Sequence, residues 1–279
     1  MQKNQPVFKR VAVVYNPDKE RAREEWARLQ RWLKARHVTV TGGPRVTRAM
    51  KRAGFIVALG GDGTVLRVAR AVVGWNIPVL GVNVGRLGFL AATEVGATYR
   101  TLARVLAGQG RVENRSMVSA TARVGGKSIG PFFALNECVI RSGAAGRVLT
   151  LQAITKNRLF ATYRGDGLII STPTGSTAYN LAASGPIVHP DVDALLLCPI
   201  CPHSLFQRPL VVPATEVLEI KVEGPNAPAV LSLDGQVNLA LPVGSRVDIC
   251  QATERIPLLL EADRSFYQVL QSKLKWGGS

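Results

Sequence analysis

The apolar run Phe55-Ile56-Val57-Ala58-Leu59 stops at Gly60-Gly61-Asp62-Gly63-Thr64, and residues 65–73 then read as a helix. A buried strand, a glycine turn and a helix start in immediate succession confine this part of the chain to an α/β arrangement. Glycines in the turn let the backbone approach an anion without Cβ clashes. The helix start adds unpaired N–H donors and a positive dipole end. Asp62 is out of character in such a cradle, because a carboxylate repels a phosphate. It therefore has separate work: holding a metal, gripping a hydroxyl or taking a proton. That combination points to phosphoryl transfer rather than to phosphate binding alone.

The neighbouring pattern predicts a parallel sheet. Val11, Ala12, Val13 and Val14 form a short strand closed by Asn16-Pro17. Residues 19–36 place Ala22, Trp26, Leu29, Trp32 and Leu33 at helical spacing. Residues 38–40, 55–59 and 77–82 give further strands, and 98–106 a further helix. In such sheets ligands sit beyond the carboxyl ends of the strands, where Asp62 and the loop 83–89 both fall.

The character changes near residues 108–111. Short β-like runs separated by turn residues then follow, as in 117–124, 132–140, 148–154, 210–212 and 217–222. Residues 1–110 are expected to form an α/β domain, completed by a helical tail within 256–279. Residues 111–255 are expected to form a β-rich, sandwich-like domain.

The formal net charge is +16. Nucleic acid and polyphosphorylated small molecules both suit a positive field. The basic residues are spread along the chain, densest over 19–36, and read as a solvated helix face. Cys198-Pro199-Ile200-Cys201 lacks a second close pair, so buried, reduced thiols are expected rather than a zinc or redox site. His189 and His203 adjoin prolines and suggest turns. No apolar run approaches the ~20 residues of a membrane span, and the first residues do not read as a signal peptide. A soluble cytoplasmic protein is expected.

Residues 165–180 repeat the logic of the glycine turn. A strand enters the hydroxyl-rich turn Thr172-Pro173-Thr174-Gly175-Ser176-Thr177, and a helix-like stretch follows. Ser176 or Thr177 is placed to cap that helix, and its first donors suit a phosphate or a ribose. Two such turns in different domains predict a nucleotide cleft. Asn136-Glu137 interrupts an apolar strand, and Asp234-Gly235-Gln236 reads as a hairpin turn; each by itself has a purely structural explanation.

Together these segments resemble the NAD kinases. The resemblance rests on residues 60–64, Asn136-Glu137, residues 165–186, residues 199–204 with Arg208-Pro209, and Asp234-Gly235-Gln236. It covers both domains in order, and the Thr172–Tyr179 run is its most specific part. It implies transfer of the γ-phosphoryl of ATP, with a divalent cation such as Mg²⁺, to the 2′-hydroxyl of the adenosine ribose of NAD. It also implies an α/β domain, a β-sandwich, a C-terminal helix returning to the first domain, and a homodimer or homotetramer. By the same resemblance Asp62 is the proton acceptor, with Gly63 and Arg67 beside the acceptor nucleotide. Gly60, Gly61, Gly63 and Thr64 form the phosphate-donor loop. Asn136 and Glu137 hold NAD ribose hydroxyls, and Arg147, Arg164 and Asp166 make further NAD contacts. Thr177, Ala178, Tyr179, Asn180, Leu181 and Ala182 line the nicotinamide half, and Gln236 adds a contact. The loop with Arg86 and Phe89 lies near the adenine.

The chemistry agrees, since phosphoryl transfer asks for positioning and charge neutralisation more than covalent steps. The chain contains no GxxxxGK[ST] run, so the cations that grip the triphosphate are unassigned by sequence; inorganic polyphosphate is as compatible with the charge as ATP. A lipid kinase shares the glycine turn but not the Thr172–Tyr179 run. A nucleic-acid binder is disfavoured by scarce aromatics and the absence of a basic patch interleaved with them. Neither a nucleic-acid nor a membrane partner is expected.

Overall fold

The computed structural model describes residues 7–85, 88–143, 147–224, 228–261 and 265–275. The chain divides into two compact units, residues 1–114 with 256–279, and residues 115–255.

The first unit is α/β. Strands β1 (Arg10–Tyr15), β2 (Thr39–Gly43), β3 (Phe55–Gly60) and β4 (Val79–Asn83) lie parallel in the order β2-β1-β3-β4, and a two-residue β5 (Thr93–Glu94) extends β4. All six residues of β3 and all five of β4 are buried, as continuous apolar runs require when both sheet faces are covered. Helices α1 (Glu20–Lys34), α2 (Asp62–Ala71) and α3 (Thr98–Leu106) follow β1, β3 and β5. The path from β1 leads outward to β2 and that from β3 leads the other way to β4. The strand order therefore reverses between β1 and β3, the place where open α/β sheets bind ligands.

Two sequence expectations change here. On α1 the buried positions are Ala22, Glu25, Leu29 and Leu33, while Trp26 and Trp32 are only half-buried. The helix is rotated so that a glutamate takes a place expected for an indole. Helix α2 begins at Asp62 rather than at 65, because Gly61 already occupies the capping position.

The second unit is antiparallel β. Its strands are β6 (Gly110–Val124, entering from the first unit), β7 (Lys127–Ala134), β8 (Glu137–Ser142), β9 (Leu149–Thr155), β10 (Arg158–Gly165) and β11 (Gly167–Ser171). A one-turn helix, α4 (Tyr179–Ala182), separates these from β12 (Ala194–Ile200), β13 (Leu210–Pro213), β14 (Leu218–Glu223), β15 (Ala229–Leu233), β16 (Val237–Leu241) and β17 (Arg246–Glu261). One sheet runs β13-β12-β11-β8-β15-β16; the other holds β10-β9-β14-β17, with β6 beside β17 and β7 beside β6. Strands β9 and β14 alternate buried and half-buried residues, the signature of one face turned to a core. Val118, Ile140, Leu151, Leu168, Leu197, Leu231 and Val247 meet in that core, which makes the unit the expected sandwich.

The end of β17 belongs to the first unit, where Leu258 lies parallel beside Val79. Helix α5 (Phe266–Leu274) follows it in that unit and opens with a capping box, Ser265 with Gln268. Residues 262–264 and 276–279 of the expected tail lie outside the described residues.

Candidate active site

Each unit carries one polar corner. In the first, β3 delivers the glycine turn to the carboxyl edge of the sheet. A Cβ on Gly60 would collide with the Thr64 side chain, so the chain folds back this tightly only through glycine. The Gly61 carbonyl accepts from Thr64 N–H at 2.9 Å and from Val65 N–H at 3.2 Å, which starts α2. Asp62 is half-buried at the first helical position. Its Oδ2 accepts from Phe89 N–H at 2.8 Å and its Oδ1 from Leu90 N–H at 3.2 Å. Gly88 lies so close that a Cβ there would overlap the carboxylate. The loop after β4 thus clamps Asp62 in one orientation. Gly63 is exposed beside it, and Arg67 reaches back to donate to the Tyr15 carbonyl at 3.2 Å. Arg86 lies outside the described residues; Phe89 contributes its backbone N–H to the clamp.

The corner of the second unit is more densely bonded. Asp234 (φ 49°) and Gly235 (φ 65°) are the central residues of the turn that joins β15 to β16, closed by Gln236 N–H donating to the Leu233 carbonyl at 2.9 Å. The Asp234 carboxylate turns back to accept from the N–H groups of Leu135 (3.1 Å), Asn136 (2.9 Å) and Glu137 (3.2 Å). The Asn136 carbonyl accepts from Thr172 N–H at 2.8 Å and from the Ser171 hydroxyl at 3.2 Å. The Thr172 hydroxyl donates to the Leu135 carbonyl at 2.7 Å and accepts from Gly175 N–H at 3.1 Å. A Cβ on Gly175 would strike the Asn136 carbonyl oxygen. The Asn136-Glu137 bend and the Thr172–Thr177 turn are therefore stitched into one object.

Glu137 is only 6% exposed at its centre, and its Oε2 is buried without a hydrogen-bond partner. Burial pushes its carboxyl up to about 8; the Asp234 charge adds to the rise, and the Tyr179 N–H opposes it. Below that pH Glu137 keeps its proton and offers both a donor and an acceptor. Asn180 is buried, donating to the carbonyls of Ser176 (3.3 Å) and Pro186 (3.0 Å) while its Oδ1 has no partner. Tyr179 is exposed, with Thr177, Ala178 and Leu181 half-buried around it and Ala182 exposed.

Neither Ser176 nor Thr177 caps a helix, contrary to expectation. The capping position of α4 is Ala178, without a side-chain cap. The Ser176 hydroxyl instead accepts from Val188 N–H at 3.0 Å, and the Thr177 hydroxyl donates to the Thr174 carbonyl at 3.3 Å. Both hydroxyls fasten the loop. Arg147, Arg164, Asp166 and Gln236 are exposed on the same unit. Asp166 accepts from the Cys201 thiol. That thiol is exposed in a positive-φ turn, not buried as expected, whereas Cys138 and Cys198 are buried; all four cysteines are free.

Three features escape a reading of the sequence alone: the clasp made by Asp234, the closeness of Gly88 to Asp62, and the buried Glu25. Asp234 looks like an ordinary turn residue until β15 is seen to pair with β8.

Comparison with known proteins decides the family. The ATP-NAD kinase N-terminal domain matches residues 44–110, and the ATP-NAD kinase C-terminal domain matches residues 135–260. The chain belongs to the ATP-NAD kinase family. Curated relatives include the NAD kinase of Geobacter metallireducens, 37% identical over 97% of this chain and 99% of that one. The NAD kinase of Moorella thermoacetica is 39% identical over 98% and 91%. Among solved structures, the NAD kinase of Archaeoglobus fulgidus in complex with ATP superposes with a TM-score of 0.79 at 26% identity, covering 95% of this chain and 98% of that one. Yeast NADH kinase complexed with NADH shares the fold, with a TM-score of 0.87 at 24% identity over 98% and 89%. Both polar corners fall within the family's matched segments. Among the described residues no helix is long and apolar enough to cross a membrane.

Proposed function

We infer that the chain transfers the γ-phosphoryl of ATP to the 2′-hydroxyl of the adenosine ribose of NAD, giving NADP and ADP. The observation that carries this is the similarity to curated NAD kinases along nearly the whole of both chains. The geometry supports roles for individual residues. Asp62, oriented by Phe89 and Leu90, accepts the proton of the attacking hydroxyl as the new O–P bond forms and ADP leaves. A carboxylate is a weak base toward an alcohol, so its proton transfer is late, and general-base gains of about 10² to 10⁴ are typical. Asn136 and Glu137 hold ribose hydroxyls; the unpartnered Oε2 of Glu137 suits a hydroxyl donor, since burying it without one costs stability. Tyr179 offers an exposed ring to the nicotinamide half, with Thr177, Ala178, Asn180, Leu181 and Ala182 around it.

A divalent cation such as Mg²⁺, carried by the ATP phosphates, would offset part of their charge. Among the described residues no three His, Cys, Asp or Glu side chains gather to hold a metal of the protein's own. The same family reading carries a homo-oligomer working in the cytoplasm, to be checked by gel filtration and cell fractionation.

One assay tests the function: NADP or NADPH formation by the purified chain, with NAD and NADH paired against ATP and inorganic polyphosphate. NADP from NAD with MgATP is the expected product. Phosphorylation of diacylglycerol in place of NAD would overturn the assignment.

A further inference from the structure

The glycine turn addresses the reacting end of a triphosphate but supplies no cation. We propose that Lys19 is that cation, and that the donor runs from the Gly61 turn past Lys19 into a cavity beside α1. The proposal rests on the kinase function inferred above and assigns its donor seat.

Lys19 stands at the capping position of α1, just after the Asn16-Pro17 turn, where Asp18 N–H donates to Asn16 Oδ1 at 3.0 Å. That turn aims Lys19 across the carboxyl edge of the sheet. Its Nζ lies 3.5 Å from the place a Cβ would take on Gly61 and 4.0 Å from the corresponding place on Gly85. Two glycines from two different loops thus leave bare backbone before one ammonium. Gly85 is itself fixed by donating to Asn83 Oδ1 at 2.9 Å. Lys19 is exposed and forms no ion pair among the described residues. An ammonium, the start of a ten-residue helix and side-chain-free backbone form a seat for a polyphosphate chain.

The seat continues into a cavity of about 280 Å³ that shares Asn83 and Gly85 with it. Its other lining residues include the charged Arg21, Glu24, Glu25 and Arg28, with Gly96 among them. The size is just under the ~300 Å³ at which small-ligand pockets begin, so it is proposed for the nucleoside end of the donor alone. Glu25 gives the cavity a recognition group. It is 2% exposed; the Tyr99 hydroxyl hydrogen-bonds to its carboxylate and Arg28 Nη1 lies 3.8 Å from Oε2, while Oε1 has no hydrogen-bond partner. A buried carboxylate oxygen left without a donor is costly. A ribose hydroxyl or an exocyclic amine of the donor would satisfy it. The shared chemistry along the seat is the polyphosphate chain; the cavity is what distinguishes a nucleotide from an inorganic donor.

Two variants of the intact protein separate the two parts. NADP formation is followed against MgATP at saturating NAD, with inorganic tripolyphosphate as inhibitor. Lys19→Met is expected to raise KM for MgATP about tenfold or more, as loss of a charge-assisted contact does. It should weaken tripolyphosphate inhibition by a similar factor, with KM for NAD within about twofold, and Lys19→Arg should restore most of the loss. Gly96→Trp fills the cavity at a position where an added Cβ meets nothing within 4 Å. It should raise KM for MgATP several-fold and leave tripolyphosphate inhibition unchanged. A wild-type KM for MgATP in Lys19→Met overturns the lysine's role, and the same result in Gly96→Trp overturns the nucleoside seat. A wild-type protein that makes no NADP defeats the kinase function itself; one that makes NADP while both variants match it defeats only the donor seat.

Discussion

The two polar corners hold their carboxylates in opposite ways. Asp62 is half-buried, and each of its oxygens meets a backbone N–H from a single loop. Glu137 is buried, with one oxygen unpartnered and Asp234 beside it. Asp62 is placed by steric closeness to Gly88; the Asn136-Glu137 bend is placed by a network of five side-chain hydrogen bonds from Asp234, Ser171 and Thr172. The difference teaches a division of labour. On the roles proposed above, the first corner is arranged for a group that reacts and the second for a rigid surface that grips.

That division can be broken from either side. Gly88→Ala forces a methyl group onto the Asp62 carboxylate. Its kcat is expected to fall by about 100-fold, the lower end of a general-base contribution, with little change in the thermal unfolding midpoint. A normal kcat would mean that the clamp is dispensable. Gly175→Ala drives a methyl into the Asn136 carbonyl. Because it deforms the gripping corner, NAD affinity should drop by roughly tenfold and the unfolding midpoint by several degrees; calorimetric titration and melting curves measure both. Asn136→Ala is milder, raising KM for NAD several-fold, about 1 kcal/mol, while KM for MgATP holds. Equal effects on both substrates would make Asn136 a structural residue.

The smallest effect is in pH. The Glu137 carboxyl is raised from 4.5 to about 8 by burial and by Asp234. Between those values the folded state binds a proton that the unfolded state has lost. Stability therefore falls as pH rises from 4.5 toward 8 and levels off above. Glu137→Gln removes this slope. Its melting midpoint should gain on the wild type progressively between pH 5 and pH 8.5, by a few degrees in all. A constant difference across that range would show that Glu137 ionises without penalty.

Much of the first corner was legible in the sequence. An apolar run buried on both faces, then glycines, then a helix start leaves little freedom, and β3, the turn and α2 follow. The β-sandwich was legible from short strands at regular spacing. The hidden parts depend on which strands become neighbours. Asp234 is nearly a hundred residues from the N–H groups it collects, and no local period announces that β15 lies beside β8. The hydroxyls of Ser176 and Thr177 were misassigned because a cap and a loop fastener use the same residue type. Glu25 was missed because helical spacing marks a face within about one residue, and the large neighbouring Trp26 looked like the better core candidate.

Asp62→Asn tests the central claim most directly, because asparagine keeps the size of the side chain and removes the proton acceptor. NAD binding is measured by calorimetric titration and NADP formation by initial rates on the same preparation. NAD affinity should stay within a few-fold of the wild type, while kcat falls by about 10² to 10⁴. An unchanged kcat would contradict the assignment of Asp62 as the group that takes the proton.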